Sequence, residues 1–295
     1  MLIPTYNRPH YLELAVQSVL MQTYKKIEII ITDNSTNLES QARLAPYLEK
    51  HPQIKYVKNE RDLGYVENCQ RGFALASGDY INYLMDDDLF CREKIEKMLS
   101  FYLQHADITL VTSYRQLMDE AGNPLAPIAA TRKLFEETAM LDGKVLGNFV
   151  LSNCLNVIGE PTTVLFRRKD LERFGAYKGK SYKMLIDVAS WMSLLSKGNA
   201  VYISETLSQF RLHSNQSQKS ISTSVSAIQE WLDLIRDARA EGFLDHDTAY
   251  KTALNQYLTH CSQIIQQAIH SNDCSILKTN RVGEILGSCI AEIVG

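Results

Sequence analysis

The 295-residue chain contains no apolar run of about 18 residues, the length that a membrane-spanning helix needs. It has no C-x-x-C pair. Its six cysteines (Cys69, Cys91, Cys154, Cys261, Cys274 and Cys289) are scattered, which argues against a cysteine-based metal centre and reads as reduced thiols in a cytoplasmic protein. Neither G-x-x-x-x-G-K-[ST] nor G-x-G-x-x-G is present, which weighs against a P-loop enzyme and against a dinucleotide-dependent dehydrogenase. Charge of one sign is also lacking. The formal net charge of −3 offers no electrostatic case for nucleic acid as a partner. No basic segment precedes an apolar core at the N-terminus, so no secretory leader is expected. What is present, 45% hydrophobic and 22% charged residues, fits an ordinary globular protein of one large domain or two small ones.

Met1-Leu2-Ile3 followed at once by Pro4 reads as the tail of a strand, so the chain is expected to begin mid-strand, as a truncated or late-starting piece of a longer polypeptide. Thereafter strands and helices alternate. Leu12, Ala15, Val16, Val19 and Leu20 keep helical spacing, and Ile27 to Thr32 is a β-branched run that ends in Asp33-Asn34-Ser35. Leu38, Ala42, Ala45 and Leu48 suggest a second helix, Ile54 to Val57 a strand, and Val66, Cys69, Phe73 and Ala76 a third helix closed by Gly78. Short connections between such units imply an α/β fold with a mostly parallel sheet. Further on come a helix through Ile95, Met98, Leu99 and Tyr102 and a strand at Ile108 to Thr112. Residues 119–160 read as loops and a mobile flap over the site. They are followed by a strand at Thr162 to Arg167, a short helix near Asp170 to Phe174, a helix at Asp187 to Ser196, and strands at Ala200 to Ile203 and Leu207 to Arg211. The polar stretch His213 to Ser226 marks a boundary, beyond which the pattern is helical throughout.

The chemistry gathers at Tyr80-Ile81-Asn82-Tyr83-Leu84-Met85-Asp86-Asp87-Asp88, where an apolar strand runs into three carboxylates. Ligands of open α/β sheets bind outside the carboxyl ends of the strands. Adjacent acids repel, so such a strand tip is stable when something positive sits there, and Mg²⁺ or Mn²⁺ suits carboxylate oxygens shared with a diphosphate. An acidic turn capping the next helix is the alternative. The first strand ends in Pro4-Thr5-Tyr6-Asn7-Arg8-Pro9 and the second in Asp33, on the same sheet edge. There Tyr6 could stack on a base while Asp33 accepts its hydrogen bonds.

The series Ile-Pro-Thr-Tyr-Asn-Arg-Pro (3–9), Ser-Val-Leu-Met-Gln-Thr-Tyr (18–24), Glu-Ile-Ile-Ile-Thr-Asp-Asn-Ser (28–35) and Ala-Ser-Gly-Asp-Tyr-Ile (76–81) with the acidic triplet resembles family 2 glycosyltransferases of the GT-A fold. So do Ile158-Gly-Glu-Pro-Thr-Thr-Val-Leu-Phe-Arg-Arg (158–168), Asp187 with Trp191 four residues on, and Phe-Arg-Leu-His-Ser-Asn (210–215). The resemblance covers roughly the first 215 residues. It implies a metal-dependent inverting transfer of a sugar from a nucleotide-diphosphate donor, most often a UDP-sugar, to an acceptor hydroxyl in glycan or glycoconjugate synthesis. It places Pro4, Tyr6, Asp33, Asp86 and Arg71 (or Asn68) at the nucleotide and Asp87, Asp88 and His213 at the metal. Arg211 falls at the diphosphate, and Glu160, Pro161, Thr162 and Trp191 around the sugar and acceptor. Asp187 falls at the catalytic base. The chain departs from the usual pattern at Met85, where an Asp is common, at Cys69-Gln70, where Arg-Asn is common, and at Ile186, often a Glu.

The expected organisation is a GT-A domain over 1–215, with a nucleotide-binding half over 1–118 and an acceptor half over 119–215, and a C-terminal helical extension over 216–295. The acceptor class (a glycan, lipid-linked glycan or protein) is left open. Self-association or a partner protein through the helical tail is expected, as is a cytoplasmic location, at most peripheral to the inner membrane face. The rivals are a nucleotidyltransferase, which normally shows a glycine-rich phosphate loop, and a non-catalytic sugar-nucleotide-binding scaffold.

Overall fold

The computed structural model describes residues 1–213, 225–270 and 281–295, so most of the polar stretch expected at the boundary, and Cys274, lie outside the described residues. Strand and helix alternate from the start: β1 (Leu2–Thr5), α1 (Pro9–Leu20), β2 (Ile29–Asp33), α2 (Glu39–Lys50), β3 (Ile54–Lys58) and α3 (Gly64–Leu75). The three strands form a parallel sheet in the order β1-β2-β3. Every residue of β1 and β2 is buried, and β1 runs on through Pro4 to Thr5, past the point where the sequence pattern ends it. Successive side chains leave a strand on opposite faces. Leu2 and Ile30 join the cluster of Cys69 on α3, while Ile3, Ile29 and Ile31 join Leu12, Val16 and Val19 of α1.

Helix α2 buries a different stripe from the one expected. Leu38 is 64% exposed, and the buried positions are Ser40 and Leu44. Ser40 faces Ser35 behind the loop after β2 (Oγ to Oγ, 3.4 Å), so a polar residue occupies a core position and misleads an apolar count.

β4 (Tyr80–Asn82) continues alongside β1: Tyr83 bridges Leu2 in parallel, and the Leu84 N–H donates to the Leu2 carbonyl at 2.8 Å. The next elements are β5 (Leu89–Phe90), α4 (Lys94–Gln104), β6 (Ile108–Met118), β7 (Ala139–Leu141), α5 (Gly143–Asn153), β8 (Leu165–Arg167), β9 (Ala176–Tyr177), β10 (Lys180–Ser181), α6 (Ile186–Leu195) and β11 (Asn199–Arg211). The second sheet runs β4-β8-β6-β11-β5, with β7 also on β11. It is mixed. β6 and β11 are parallel, whereas β8 is antiparallel to both β4 and β6, and β5 and β7 are antiparallel to β11.

Three expectations change here. Residues 119–160 are not all loop, since α5 lies within them. The two strands expected at 200–203 and 207–211 are one strand, bulged between Ile203 and Ser208 against β6. The short helix expected near 170–174 is instead a single 3₁₀ turn at Arg168–Asp170.

The chain ends in α7 (Val225–Arg239), α8 (Asp247–His270) and α9 (Arg281–Val294). These helices continue the α/β core: α7 and α8 pack on α5, and Trp231, Leu254 and Ile285 belong to the same hydrophobic cluster as Leu146, Val150 and Trp191. At Gly147 a Cβ would lie 2.3 Å from the Phe243 ring, so this glycine permits the close approach. No described helix is long and apolar enough to cross a membrane.

Candidate active site

Parallel strands carry their C-terminal ends to one edge, and the register aligns them: Thr5 faces Asp33, which faces Lys58. Pro4 is buried within β1 one step earlier, so it shapes the strand end. Beyond Thr5, Asn7 adopts a left-handed backbone (φ 53°), which Asn tolerates better than most residues. Its backbone N–H donates to the Ser35 hydroxyl oxygen at 2.8 Å and its side chain accepts from the Thr36 N–H at 2.9 Å, pinning the two loops together. The turn leaves the Tyr6 ring 47% exposed and aims Arg8 at the acidic triplet.

Arg8 supplies the positive charge that three adjacent carboxylates demand. Its Nη1 lies 3.1 Å from Asp86 Oδ1 and 2.9 Å from Asp87 Oδ2. Asp86 also accepts from the Thr5 hydroxyl at 2.7 Å and the Tyr6 N–H at 3.3 Å. Burial, and then the neighbouring charge of Asp87, push its carboxyl up to about 6 against the pull of Arg8 and Thr5. Asp87 Oδ2, already paired with Arg8, is also in hydrogen-bond contact with His213 Nε2 at 2.9 Å. Among the described residues, no group of three or more His, Cys, Asp or Glu side chains is spaced to hold a metal ion.

The sequence assigns Asp88 to the metal, but the structure commits both its oxygens to the protein. Oδ2 accepts the Thr162 hydroxyl at 2.5 Å and Oδ1 the Arg211 N–H at 3.0 Å. Burial, then Asp87 and Glu160, hold its carboxyl well above the usual range. Arg211, assigned to the diphosphate, is likewise a clamp. It is 3% exposed and donates to the carbonyls of Asp87 (2.8 Å), Asp119 (3.1 Å) and Glu120 (2.9 Å). Its guanidinium lies over the Tyr11 ring of α1 at 4.9 Å, and Tyr11 also packs against His213.

Glu160, Pro161 and Thr162 form a buried support under the triplet instead of an open pocket wall. Asn82 Nδ2 donates to the Pro161 and Thr162 carbonyls at 3.2 and 3.1 Å, and Glu160 pairs with Arg115 at 2.7 Å. The buried Lys94 of α4 holds the same turn through the Thr163 carbonyl at 2.9 Å. Burial lowers its ammonium to about 7. Trp191 is fully buried against Phe166 and Phe174 and donates to the Gly159 carbonyl at 2.8 Å, so it braces the segment before Glu160 and presents no face to a sugar.

Asp187 sits in the first turn of α6. One oxygen accepts from the Val188 N–H at 2.8 Å and the other from the Asn156 side chain at 2.8 Å. Burial pushes its carboxyl up to about 6, with Glu160 adding to the rise. Glu160 lies within electrostatic reach of both Asp88 and Asp187, which links the triplet to α6. On the far side Tyr65, a half-exposed residue at the start of α3, points its hydroxyl to the Met85 sulfur at 3.4 Å and feels the charge of Asp187.

Asp33 is fully buried. Its Oδ1 takes the Ser35 N–H at 2.6 Å, and its Oδ2 takes Tyr56 and Lys58. Arg71 is half-buried on α3 and, among the described residues, bonds to none of these groups. Asn68 instead ties the strand ends together through the Thr32 carbonyl at 2.9 Å. The sequence reading missed Arg8, Tyr11, Lys58, Tyr65 and Asn156. Only Arg8 had a signal, the unmet need of the triplet for a cation.

A family model described as glycosyl transferase family 2 matches residues 1–175. A putative teichuronic acid biosynthesis glycosyltransferase, TuaG, of Bacillus subtilis is 28% identical over 213 residues, 72% of this chain and 78% of its own. An uncharacterized glycosyltransferase of Rickettsia prowazekii, RP339, is 24% identical over 99% of this chain and 89% of its own. Among solved structures, S. aureus TarS 1-349 in complex with UDP-GlcNAc superposes with a TM-score of 0.68 at 16% identity, over 99% of this chain and 80% of that one. The mannosyltransferase PcManGT of Pyrobaculum calidifontis, solved with GDP-Man and Mn²⁺, superposes at 0.54 and 12% identity, over 99% and 85%. With the strand-end geometry above, these matches establish that the chain belongs to glycosyl transferase family 2 and has the GT-A fold.

Proposed function

We propose that the protein is a metal-dependent inverting glycosyltransferase that uses a UDP-sugar, with Asp187 as the base. The observation that carries this reading is the separation of two carboxylate environments. Asp86 and Asp87 are clustered with Arg8 and His213 at the strand edge, while Asp187 lies on α6, held by Asn156 and the Val188 N–H, with its carboxyl pushed up to about 6. A base that is ionised at neutral pH yet close enough to it to accept a proton is what an incoming hydroxyl requires. In the reaction the acceptor oxygen bonds to the anomeric carbon, the bond from that carbon to the diphosphate oxygen breaks with its electrons leaving on UDP, and the hydroxyl proton passes to Asp187. Asp87 and His213 fit a divalent cation as mixed oxygen and nitrogen donors, and such a cation would supply Lewis-acid stabilisation of the departing diphosphate. Arg8 adds a fixed positive charge at the same point. Tyr6 supplies an exposed ring for the base, and Asp86, beside it at the strand tip, would take the ribose. The neighbours solved with UDP-GlcNAc and with GDP-Man and Mn²⁺ are consistent with this use of the edge.

The test is Asp187→Asn, measured in parallel for UDP binding with Mn²⁺ and for release of UDP from a panel of UDP-sugars. Binding should stay within a few-fold of wild type while turnover falls by at least about a hundredfold. Retained turnover would remove Asp187 as the base.

A further inference from the structure

We propose that Lys58 reads the nucleobase of the donor together with Asp33, and that the pair selects a base that presents a ring N–H next to a carbonyl. The inference rests on the nucleotide-sugar reading above. Lys58 is the last residue of β3 and lies in register with Asp33, so the two side chains stand side by side on the edge from which Tyr6 projects. Its Nζ is 3.3 Å from Asp33 Oδ2 and also donates to the Ser35 carbonyl.

Three donors cover Asp33, and they differ in what they can do. The Ser35 N–H is backbone. The Tyr56 hydroxyl, kept protonated by burial and by Asp33 itself, belongs to a stiff ring. Lys58 has a flexible stem and a side chain that is 25% exposed, so it is the group free to swing aside. A ring N–H arriving at Asp33 replaces the Lys58 contact, and the ammonium then turns to the neighbouring carbonyl oxygen of the base. The protein thus offers an anionic acceptor beside a cationic donor. Uracil, with N3–H beside O4, and guanine, with N1–H beside O6, complement that pair. Cytosine and adenine put a ring nitrogen lone pair against the carboxylate and an amino group against the ammonium. Both positions then repel, which gives discrimination by mismatch as well as by fit.

The experiment titrates UDP, GDP, CDP and ADP, each with Mn²⁺, into wild type, Lys58→Met and Lys58→Arg. Thermal unfolding of each ligand-free protein serves as the check on folding. The four nucleotides share ribose and diphosphate, so their differences report the base, and the UDP and GDP arms separate a pyrimidine from a purine site. Wild type should prefer UDP or GDP over CDP and ADP by about tenfold or more. Lys58→Met should lose most of that preference, by weakening the favoured nucleotide and by relieving the repulsion of the CDP and ADP amino groups, and Lys58→Arg should restore part of it. An unchanged ratio in Lys58→Met would overturn Lys58 as the reader. If wild type bound none of the four, the nucleotide-sugar reading would fall first, a result distinct from a lost or kept ratio.

Discussion

At the scale of single residues, burial sets the chemistry of Asp187. Its folded-state carboxyl titrates near 6 against 3.8 for an ordinary aspartate, because burial penalises the charged form. Two outcomes follow with opposite signs. Turnover should rise with pH through about 6 as the base ionises, and level off above it. Stability should fall over the same window, since the raised carboxyl binds a proton in the folded state that the unfolded chain has already released. Asp187→Asn removes that penalty, so above pH 6 it should melt a few degrees higher than wild type while being inactive. A pH–rate profile checks the first effect and differential scanning fluorimetry between pH 4 and 8 the second. A variant with an unchanged melting temperature would mean that the Asp187 charge is better solvated than its position implies. Asp88 and Arg211 illustrate the complementary case. Their residue types suit a metal and a diphosphate, yet their hydrogen bonds are already spent on Thr162, on each other and on backbone carbonyls.

At the scale of elements, the supports of the site come from far along the chain. α4 contributes Lys94 to the Thr163 carbonyl, holding the turn that carries Thr162 to Asp88. The ammonium titrates near 7 when folded and near 10.5 when unfolded, so between these values the unfolded chain binds more protons and stability should increase with pH. Lys94→Met should flatten the rise in melting temperature between pH 7 and 9; an identical slope would show that the amine is not the titrating group. α5 contributes the dock for the tail. Gly147→Ala would drive a methyl into the buried Phe243 ring and should cost about 1–3 kcal/mol, read as a lower urea midpoint. No loss would mean that the tail can shift freely on α5. The same helix explains one failure of the sequence reading. Gly143 and Gly147 are poor helix formers, and Val145 and Phe149 lie on its exposed side, so the segment shows no clean amphipathic stripe. Ser204-Glu205-Thr206 similarly split β11 in the reading, because a polar bulge looks like a loop when its pairing partner is unseen.

At the scale of the whole molecule, the fold brings residues from five separated stretches to one sheet edge: Thr5 to Arg8, Asp33, Lys58, Asp86 to Asp88, and Arg211 to His213. The strand tips were legible because apolar runs ending in Asp or in turn residues are local signals, and Asp187 with Trp191 kept a recognisable spacing. The need of the triplet for a cation was legible, but that Arg8 meets it depends on the left-handed Asn7 turn, and that Lys58 meets Asp33 depends on parallel register. The three C-terminal helices share the transferase core through α5, so the tail contributes to the stability of the catalytic fold. The central claim, that Asp87 and His213 would hold a divalent cation that strengthens binding of the nucleotide diphosphate at this edge, is tested most directly by calorimetric titration of UDP. Wild type with Mn²⁺, wild type after EDTA, and Asp87→Ala with Mn²⁺ are compared. The account predicts a loss of at least about tenfold in affinity in the second and third cases relative to the first. Equal affinity in all three would contradict it.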